Sequence, residues 1–163
     1  KAFKPNLIFI PDYVNTATEI VRLAYAENNQ IVFLGSDGWG GREVLEAKLS
    51  SLSELKAYYA THWAQEIETP TNKKFKKGWK QLYPEEPYSL GAAMMFDALK
   101  VTREALTRLK KANPNANEIQ KVLLSTAFET TTGPIVYKDA KNPSPDRQVV
   151  ILKFLGGKHS YVK

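Results

Sequence analysis

Short apolar runs alternate with amphipathic stretches in the first third of the chain. Residues 7–10 are continuously apolar and are closed by Pro11, which is typical of a strand buried on both faces of a parallel sheet. Apolar positions then recur at helical spacing from Val14 to Tyr25, with Asn15 as the predicted N-cap. A second apolar run at 31–34 completes a strand–helix–strand unit. The pattern predicts an α/β fold with parallel strands.

The remaining pattern adds more helices and a closing hairpin. A short helix over 43–49 and a third strand over 57–60 are predicted next, followed by a basic amphipathic helix over 71–82. Ser89 is the predicted cap of a long helix with an apolar stripe at positions 90, 94, 98, 101, 105 and 109. Asn117 and Gln120 resemble a capping box. Strands over 148–154 and 160–162 are expected to flank a Gly156-Gly157 turn.

The amino-acid composition excludes several kinds of functional site. The chain has 163 residues and no cysteine, so disulfides, thiolate zinc sites and cysteine nucleophiles are excluded. No apolar run approaches the roughly 20 residues of a membrane-spanning helix. The N-terminal residues lack the apolar core of a signal peptide, so we expect a chain that is cytoplasmic, already processed or cut from something longer.

The net charge of +6 is unevenly distributed. Residues 1–62 hold six basic and seven acidic side chains, a net of −1, whereas 63–147 hold fourteen and ten, a net of +4. The densest basic segment, 72–80, interleaves lysines with Phe75 and Trp79, a pattern that also occurs in nucleic-acid-binding proteins. The simpler interpretation is a surface helix with both rings inward and the lysines solvated.

The sequence gives little evidence of a catalytic or metal-binding site. His62 and His159 are the only histidines, and neither has a partner at a metal-ligand spacing, so we expect no metal and no cofactor. His159 lies at the predicted hairpin turn, where exposure to solvent is expected. Asp12 and Asp37 form a conceivable acid/base pair, which keeps a small α/β enzyme as an alternative, although no nucleophile accompanies them.

The positions of these two aspartates are more informative. Asp12 and Asp37 each follow a buried strand, and Tyr13 and Trp39 occur in the same two loops. Ligands of open parallel sheets bind outside the carboxyl ends of the strands. A carboxylate can hold an ammonium group, and an aromatic ring can cover an apolar side chain or face a cation. Together, the two aspartates and the two aromatic residues predict binding of a small amine or amino acid. The alternative is that these residues serve only in turns and in packing.

Seven segments occur in a distinctive order along the chain: Asn6–Tyr13, Phe33–Trp39, Tyr58–Trp63, Tyr83-x-x-Glu86-Pro87, Ser89–Ala98, Phe128–Ile135 and the final hairpin. In this order they resemble the branched-chain amino-acid receptors among the type I periplasmic binding proteins of ABC importers. This resemblance implies parts of two doubly wound lobes that close on a ligand, docking of the closed form on a membrane permease, and no catalysis. The same fold also serves ligand-sensing domains of receptors and regulators, which is the near alternative.

The resemblance also implies roles for single residues. Tyr13 matches a position that lines the ligand cleft, and Asp37 matches the acidic position that holds the ligand's α-ammonium, although Asp is shorter than the usual Glu. Trp39 extends the same loop and is expected to cover the ligand. The interlobe crossings, and so the hinge, are expected at two places: Thr61, His62 and Trp63, and the stretch near Asp146 and Arg147.

Family members are more than twice as long as this chain. By resemblance, 1–62 and 148–163 belong to the second lobe and 63–147 to the first, so we expect a C-terminal portion of an extracytoplasmic protein. The segments that grip the ligand's α-carboxylate have no counterpart here. We expect the exposed apolar edges to be covered by the missing N-terminal half or by a second copy of the chain.

Overall fold

The computed structural model describes residues 3–87, 90–141 and 144–162. In chain order the elements are β1 (Leu7–Ile10), α1 (Val14–Glu27), β2 (Val32–Gly35), a 3₁₀ turn (Asp37–Trp39), α2 (Arg42–Leu49), β3 (Lys56–Thr61), α3 (Pro70–Leu82), α4 (Leu90–Leu109), α5 (Ala116–Leu124), β4 (Ala127–Glu129), β5 (Pro134–Val136), β6 (Val150–Leu155) and β7 (Lys158–Tyr161). The predicted α/β class, the strand–helix–strand unit and the closing hairpin are confirmed.

The chain divides into two compact units. Unit 1 comprises Lys1–Ala64 and Val149–Lys163, and unit 2 comprises Gln65–Gln148. These divisions lie within two residues of the boundaries expected from the sequence. The assignment of each unit to one lobe of a two-lobed protein stays a prediction.

Unit 1 is a five-stranded sheet in the order β1-β2-β3-β6-β7. The first three strands are parallel, with Ile10 opposite Gly35 and Gly35 opposite Tyr59, and the last two run antiparallel. Because β1, β2 and β3 follow one another in space as in sequence, both connecting helices can lie on the same face of the sheet.

The core of unit 1 lies between that face and the two helices. Strand residues Phe33, Ala57 and Phe154 pack with side chains of α1 and α2, namely Ala17, Val21, Leu45 and Leu49. All of these side chains are fully buried. Among the described residues of unit 1, both helices pack on this one face of the sheet.

The described residues of unit 2 form three helices and a two-stranded antiparallel sheet. Val101 and Ala105 of α4 pack with Phe128 of β4 and Ile135 of β5. Thr69 caps α3 by accepting a 3.0 Å hydrogen bond from the backbone N–H of Asn72, and Pro70 follows at the first helical position. Among the described residues, no helix combines the length and the apolar character needed to cross a bilayer.

Two predicted helix starts were wrong. Helix α1 already begins at Val14, so Asn15 lies inside the helix and its carbonyl accepts from the Thr18 hydroxyl at 2.9 Å. The capping box of α5 uses Asn115 and Glu118. Glu118 is charged and also pairs with Lys111 at 2.8 Å, an additional contact that Gln120 cannot provide. The predicted cap Ser89 lies outside the described residues.

The predicted stripe of α4 is confirmed at Val101 and Ala105 but is displaced by one position earlier in the helix. The buried positions are Ala93, Asp97, Val101 and Ala105, whereas Ala98 is exposed and position 94 is partly buried. Asp97 explains the displacement, because its carboxylate accepts hydrogen bonds of 2.8 Å from both the backbone N–H and the hydroxyl of Thr131. A buried carboxylate on the inner face is stabilised by these two donors.

Candidate functional site

The loops after β1 and β2 lie side by side at the carboxyl end of the parallel strands. Ile10 pairs with Gly35 at the last register position of the two strands. Asp12 and Tyr13 follow Ile10, and the 3₁₀ turn Asp37–Trp39 follows Gly35. The structure therefore brings the four predicted ligand-binding residues onto two neighbouring loops, as the sequence pattern indicated.

Glycine allows these loops to touch. A Cβ atom on Gly38 would lie 2.7 Å from the backbone carbonyl oxygen of Asp12, which is closer than such contacts occur in proteins. A Cβ atom on Gly41 would lie 3.0 Å from a methyl carbon of Val14, the first residue of α1. The loop after β2 thus packs directly on the start of α1, and the two loops form one surface.

Trp39 supports this surface from beneath. Its side chain is 0% exposed, and its ring fills the space above Gly35, where a Cβ atom would come within 2.3 Å of the indole. The indole Nε1–H donates a 3.1 Å hydrogen bond to the carbonyl of Ile10. This burial corrects the expectation that Trp39 covers a ligand: the ring is part of the core and has no face left for one.

The exposed groups of the surface are Asp12, Tyr13 and Asp37. Tyr13 is 79% exposed, and its backbone N–H donates a 2.6 Å hydrogen bond to the Asp12 carboxylate. Asp37 begins the 3₁₀ turn, and its backbone carbonyl accepts from the N–H of Gly40 at 2.9 Å. One carboxylate therefore orders the loop that carries the tyrosine, while the other projects from the adjacent loop. An anionic oxygen near an exposed aromatic ring suits a ligand with an ammonium group.

The residues predicted as hinge lie next to the boundaries between the units. Thr61 is the last residue of β3, and Thr61 and Trp63 are buried. Asp146 forms an antiparallel bridge with Val136, and Arg147 Nη1 donates to the sulfur of the methionine at position 94 at 3.3 Å. Through these contacts, Asp146 and Arg147 both pack within unit 2. The hinge role of Thr61, His62, Trp63, Asp146 and Arg147 stays a prediction.

Sequence reasoning missed a buried polar cluster around His159 in unit 1. The side chain of His159 is only 5% exposed, which corrects the expectation of a solvated turn residue. Its Nδ1 lies 2.9 Å from the hydroxyl of Tyr59, and its ring contacts Phe154 edge-on. The signal was present in the alternation of β7, because the hairpin register places His159 opposite the inward-facing Phe154.

The surroundings of His159 disfavour its charged form. Burial, together with the positive charge of Arg42, lowers the pKa of the imidazole to about 4, while Glu46 acts in the opposite direction. Glu46 is held by the Arg42 guanidinium at 2.8 Å and lies 3.9 Å from Nε2 of His159. Nε2 is also buried. The cluster therefore holds a neutral histidine between the C-terminal hairpin and α2.

Three of the five lysines in the basic segment 72–80 form ion pairs with carboxylates. Phe75 is buried against Phe96, at 5.2 Å between ring centroids, and the Nε1–H of Trp79 donates to the carbonyl of Glu85 at 2.9 Å. Lys73 and Lys76 both pair with Glu68, and Lys80 pairs with Glu86. Ion pairs of this kind reduce the field available to phosphate groups. Within 3–87, 90–141 and 144–162, no three potential metal ligands come together.

Neither a protein-family profile nor a curated protein matches the chain. Solved structures do match its fold. The leucine-binding protein LivK from Thermotoga maritima superposes with a TM-score of 0.82 at 22% identity, over 98% of this chain and 44% of LivK. The chain has the type I periplasmic binding protein fold.

Two further structures extend this likeness. The branched-chain amino-acid substrate-binding protein LivJ from Streptococcus pneumoniae, in complex with isoleucine, matches with a TM-score of 0.76 at 24% identity, over 96% of this chain and 44% of LivJ. A solute-binding protein of an R. palustris ABC transporter, in complex with benzoate, matches with a TM-score of 0.75 at 18% identity, over 97% of this chain and 42% of that protein. The chain thus spans less than half the length of these proteins.

Proposed function

We propose that the chain is part of a non-catalytic, extracytoplasmic solute-binding protein that delivers a small amine-bearing solute, such as an amino acid, to the permease of an ABC importer. The observation that carries the proposal is the pairing of two exposed side chains, Asp37 and Tyr13, on touching loops at the carboxyl ends of β2 and β1. The likeness in fold to proteins solved with isoleucine and with benzoate supports a solute-binding role.

Each loop residue has a distinct part in the proposal. Asp37 accepts charge-assisted hydrogen bonds from the ligand's ammonium group. Tyr13 lies over the ligand's side chain, where an aromatic face suits both aliphatic carbon and a cation. Asp12 positions Tyr13 through the hydrogen bond to its backbone N–H. Trp39 holds the two loops at a fixed separation through Ile10 and takes no direct part in binding.

A polypeptide of this length offers only one side of such a site. The proposed transporter function therefore belongs to the longer protein, in which Thr61–Trp63 and Asp146–Arg147 would act as the crossings between lobes. The ligand contacts of unit 1 are nevertheless testable with the chain itself, because weak binding in the millimolar range still produces measurable changes in backbone amide resonances.

The experiment is a titration of the isotopically labelled chain with leucine to about 10 mM, followed by amide chemical shifts. The amides of Tyr13, Asp37 and Gly38 are expected to shift, and Asp37→Asn is expected to weaken the response at least about tenfold because the carboxylate charge is lost. Glu43→Gln is the matched control, since it removes an exposed carboxylate in the first turn of α2. Equal responses from wild type and Asp37→Asn, or no response in either loop, would overturn the proposal.

A further inference from the structure

Arg147 is a partly buried arginine in unit 2 with few partners for its charged group. Its Nη1 donates to the sulfur of Met94 at 3.3 Å, and a thioether sulfur is a weak acceptor. Across residues 3–87, 90–141 and 144–162, this sulfur is the one acceptor that the guanidinium contacts, and no carboxylate forms an ion pair with it. A guanidinium carries five N–H donors, so most donors of Arg147 have no acceptor within the described chain.

Two carboxylates of unit 2 that could pair with Arg147 are held by other donors. Both oxygens of Asp97 accept hydrogen bonds from Thr131. Burial raises the pKa of the Asp97 carboxyl, while the hydrogen bonds from Thr131 and the positive charge of Arg147 act in the opposite direction. Asp146, the residue before Arg147, forms its ion pair with Lys138. Charges that are partly removed from water are normally paired, so Arg147 lacks the anion that such a group usually has.

Arg147 also lines a cavity of about 480 Å³. The other lining residues, all of unit 2, are Pro134, Val136, Pro145, Asp146 and Gln148. Three of these five are apolar, and Val136 is 36% exposed although it is the last residue of β5. The volume lies in the range of pockets that bind small molecules. The cavity therefore combines a guanidinium that lacks an anion with a wall of aliphatic carbon.

We propose that this cavity binds a small organic carboxylate, with the anionic head on Arg147 and a short hydrocarbon body against Val136 and the two prolines. A guanidinium and a carboxylate are both planar and match each other in two parallel hydrogen bonds. The apolar wall favours an anion that carries carbon over an inorganic one. The proposal rests on unit 2 alone and is independent of the proposed solute site, whose residues belong to unit 1.

The test titrates the isotopically labelled 163-residue chain at pH 7 with 4-methylpentanoate and, separately, with isopentylamine. The two probes share a branched hydrocarbon chain and carry opposite charges. The carboxylate is expected to shift the amides of Val136, Arg147 and Gln148 with a Kd in the millimolar range, and the amine to bind there at least about tenfold more weakly. Equal binding of the two probes at these amides would overturn the proposal.

Inorganic phosphate tests the apolar part of the site. It carries negative charge but has no hydrocarbon body, so it is expected to bind at least about tenfold more weakly than 4-methylpentanoate. Phosphate that bound as tightly as the carboxylate would show a site for anions in general and would contradict the proposal.

Variants of the chain locate the head group. Arg147→Gln is expected to weaken 4-methylpentanoate at least about tenfold, and Arg147→Lys at least about threefold, because lysine retains the charge without the planar fork. Arg103→Gln is the matched control, since Arg103 is an exposed arginine of α4 outside the cavity wall, and this variant is expected to bind as wild type. Unchanged binding in Arg147→Gln, or equal losses in Arg147→Gln and Arg103→Gln, would overturn the assignment.

Val136→Asp keeps the proposal testable should Arg147→Gln fail to fold, as judged from its thermal unfolding. The new carboxylate lies at an exposed position and repels the bound anion, so 4-methylpentanoate is expected to bind at least about tenfold more weakly. The response of the Tyr13 and Asp37 amides to leucine is expected to stay as in wild type, because those residues lie in unit 1. If Val136→Asp bound 4-methylpentanoate as wild type does, the cavity would not be the site.

Discussion

The indole Nε1–H of Trp39 donates a 3.1 Å hydrogen bond to the backbone carbonyl of Ile10. The donor belongs to the loop after β2, and the acceptor is the last residue of β1. The bond therefore couples the two loops that carry the proposed ligand-binding residues. It also satisfies the carbonyl of Ile10, the buried last residue of β1, where an unpaired acceptor is costly.

Two substitutions of Trp39 distinguish the contribution of its hydrogen bond to the unfolding free energy from the contribution of its ring volume. Trp39→Phe retains an aromatic ring but leaves the Ile10 carbonyl without its donor, and is expected to cost about 1–3 kcal/mol of unfolding free energy. Trp39→Ala also opens a cavity and is expected to cost about 3–5 kcal/mol. Urea unfolding followed by circular dichroism measures both, with Trp79→Phe on α3 as the control. A cost below about 1 kcal/mol for Trp39→Ala would contradict the assignment of Trp39 to the core.

Two glycine replacements are expected to have opposite effects. Gly38→Ala places a Cβ atom 2.7 Å from the backbone carbonyl of Asp12, so the loops must separate and the chain is expected to lose about 1–3 kcal/mol. Gly78 lies inside α3 with nothing within 4 Å of its added Cβ, so Gly78→Ala is expected to stabilise the chain by about 0.5–1 kcal/mol. Thermal unfolding compares them. A Gly38→Ala variant as stable as Gly78→Ala would show that the loops do not touch in solution.

The buried histidine predicts a dependence of stability on pH. The folded pKa of His159 lies at about 4, below its ordinary value of 6.5, so the unfolded chain binds the proton first as the pH falls. The contribution of the neutral imidazole is therefore complete above its ordinary pKa and is lost as the pH falls from about 6.5 toward 4. Between about pH 7 and pH 5 the loss is expected to reach about 1–2 kcal/mol.

His159→Phe is the control for this effect, because it preserves the ring contacts with Tyr59 and Phe154 and removes the titrating group. The melting temperature of wild type is expected to fall more steeply between these pH values than that of the variant. Parallel curves for the two proteins would show that a group other than His159 controls the acid response.

The sequence predicted secondary structure well where the spacing of apolar residues fitted only one type of element. The two apolar runs at the ends of the strand–helix–strand unit predicted β1 and β2, and the third strand predicted over 57–60 is observed as Lys56–Thr61. The same reasoning placed Asp12, Tyr13, Asp37 and Trp39 on two neighbouring loops, because parallel strands end at one edge of a sheet.

It could not predict the direction of a side chain that depends on tertiary contact. Trp39 turns inward because Gly35 has no side chain and the carbonyl of Ile10 offers an acceptor, and neither relationship is visible in the spacing. Similarly, the inner stripe of α4 includes Asp97, a residue that hydropathy places outside, because Thr131 donates to both of its carboxylate oxygens. The local pattern also placed the capping box of α5 at Asn117 and Gln120, two residues too late, because it does not show the ion pair of Glu118 with Lys111.

The most direct test of the proposed function compares three ligands that share one branched carbon chain: leucine, isopentylamine and 4-methylpentanoate. Amide shifts of the full chain report which functional group reaches the Asp12–Tyr13 and Asp37–Trp39 loops. If Asp37 holds an ammonium group, leucine and isopentylamine will both shift the amides of Tyr13, Asp37 and Gly38, 4-methylpentanoate will not, and Asp37→Asn will remove the response to both amines. Equal shifts with 4-methylpentanoate, or an unchanged response to the amines in Asp37→Asn, would contradict the account.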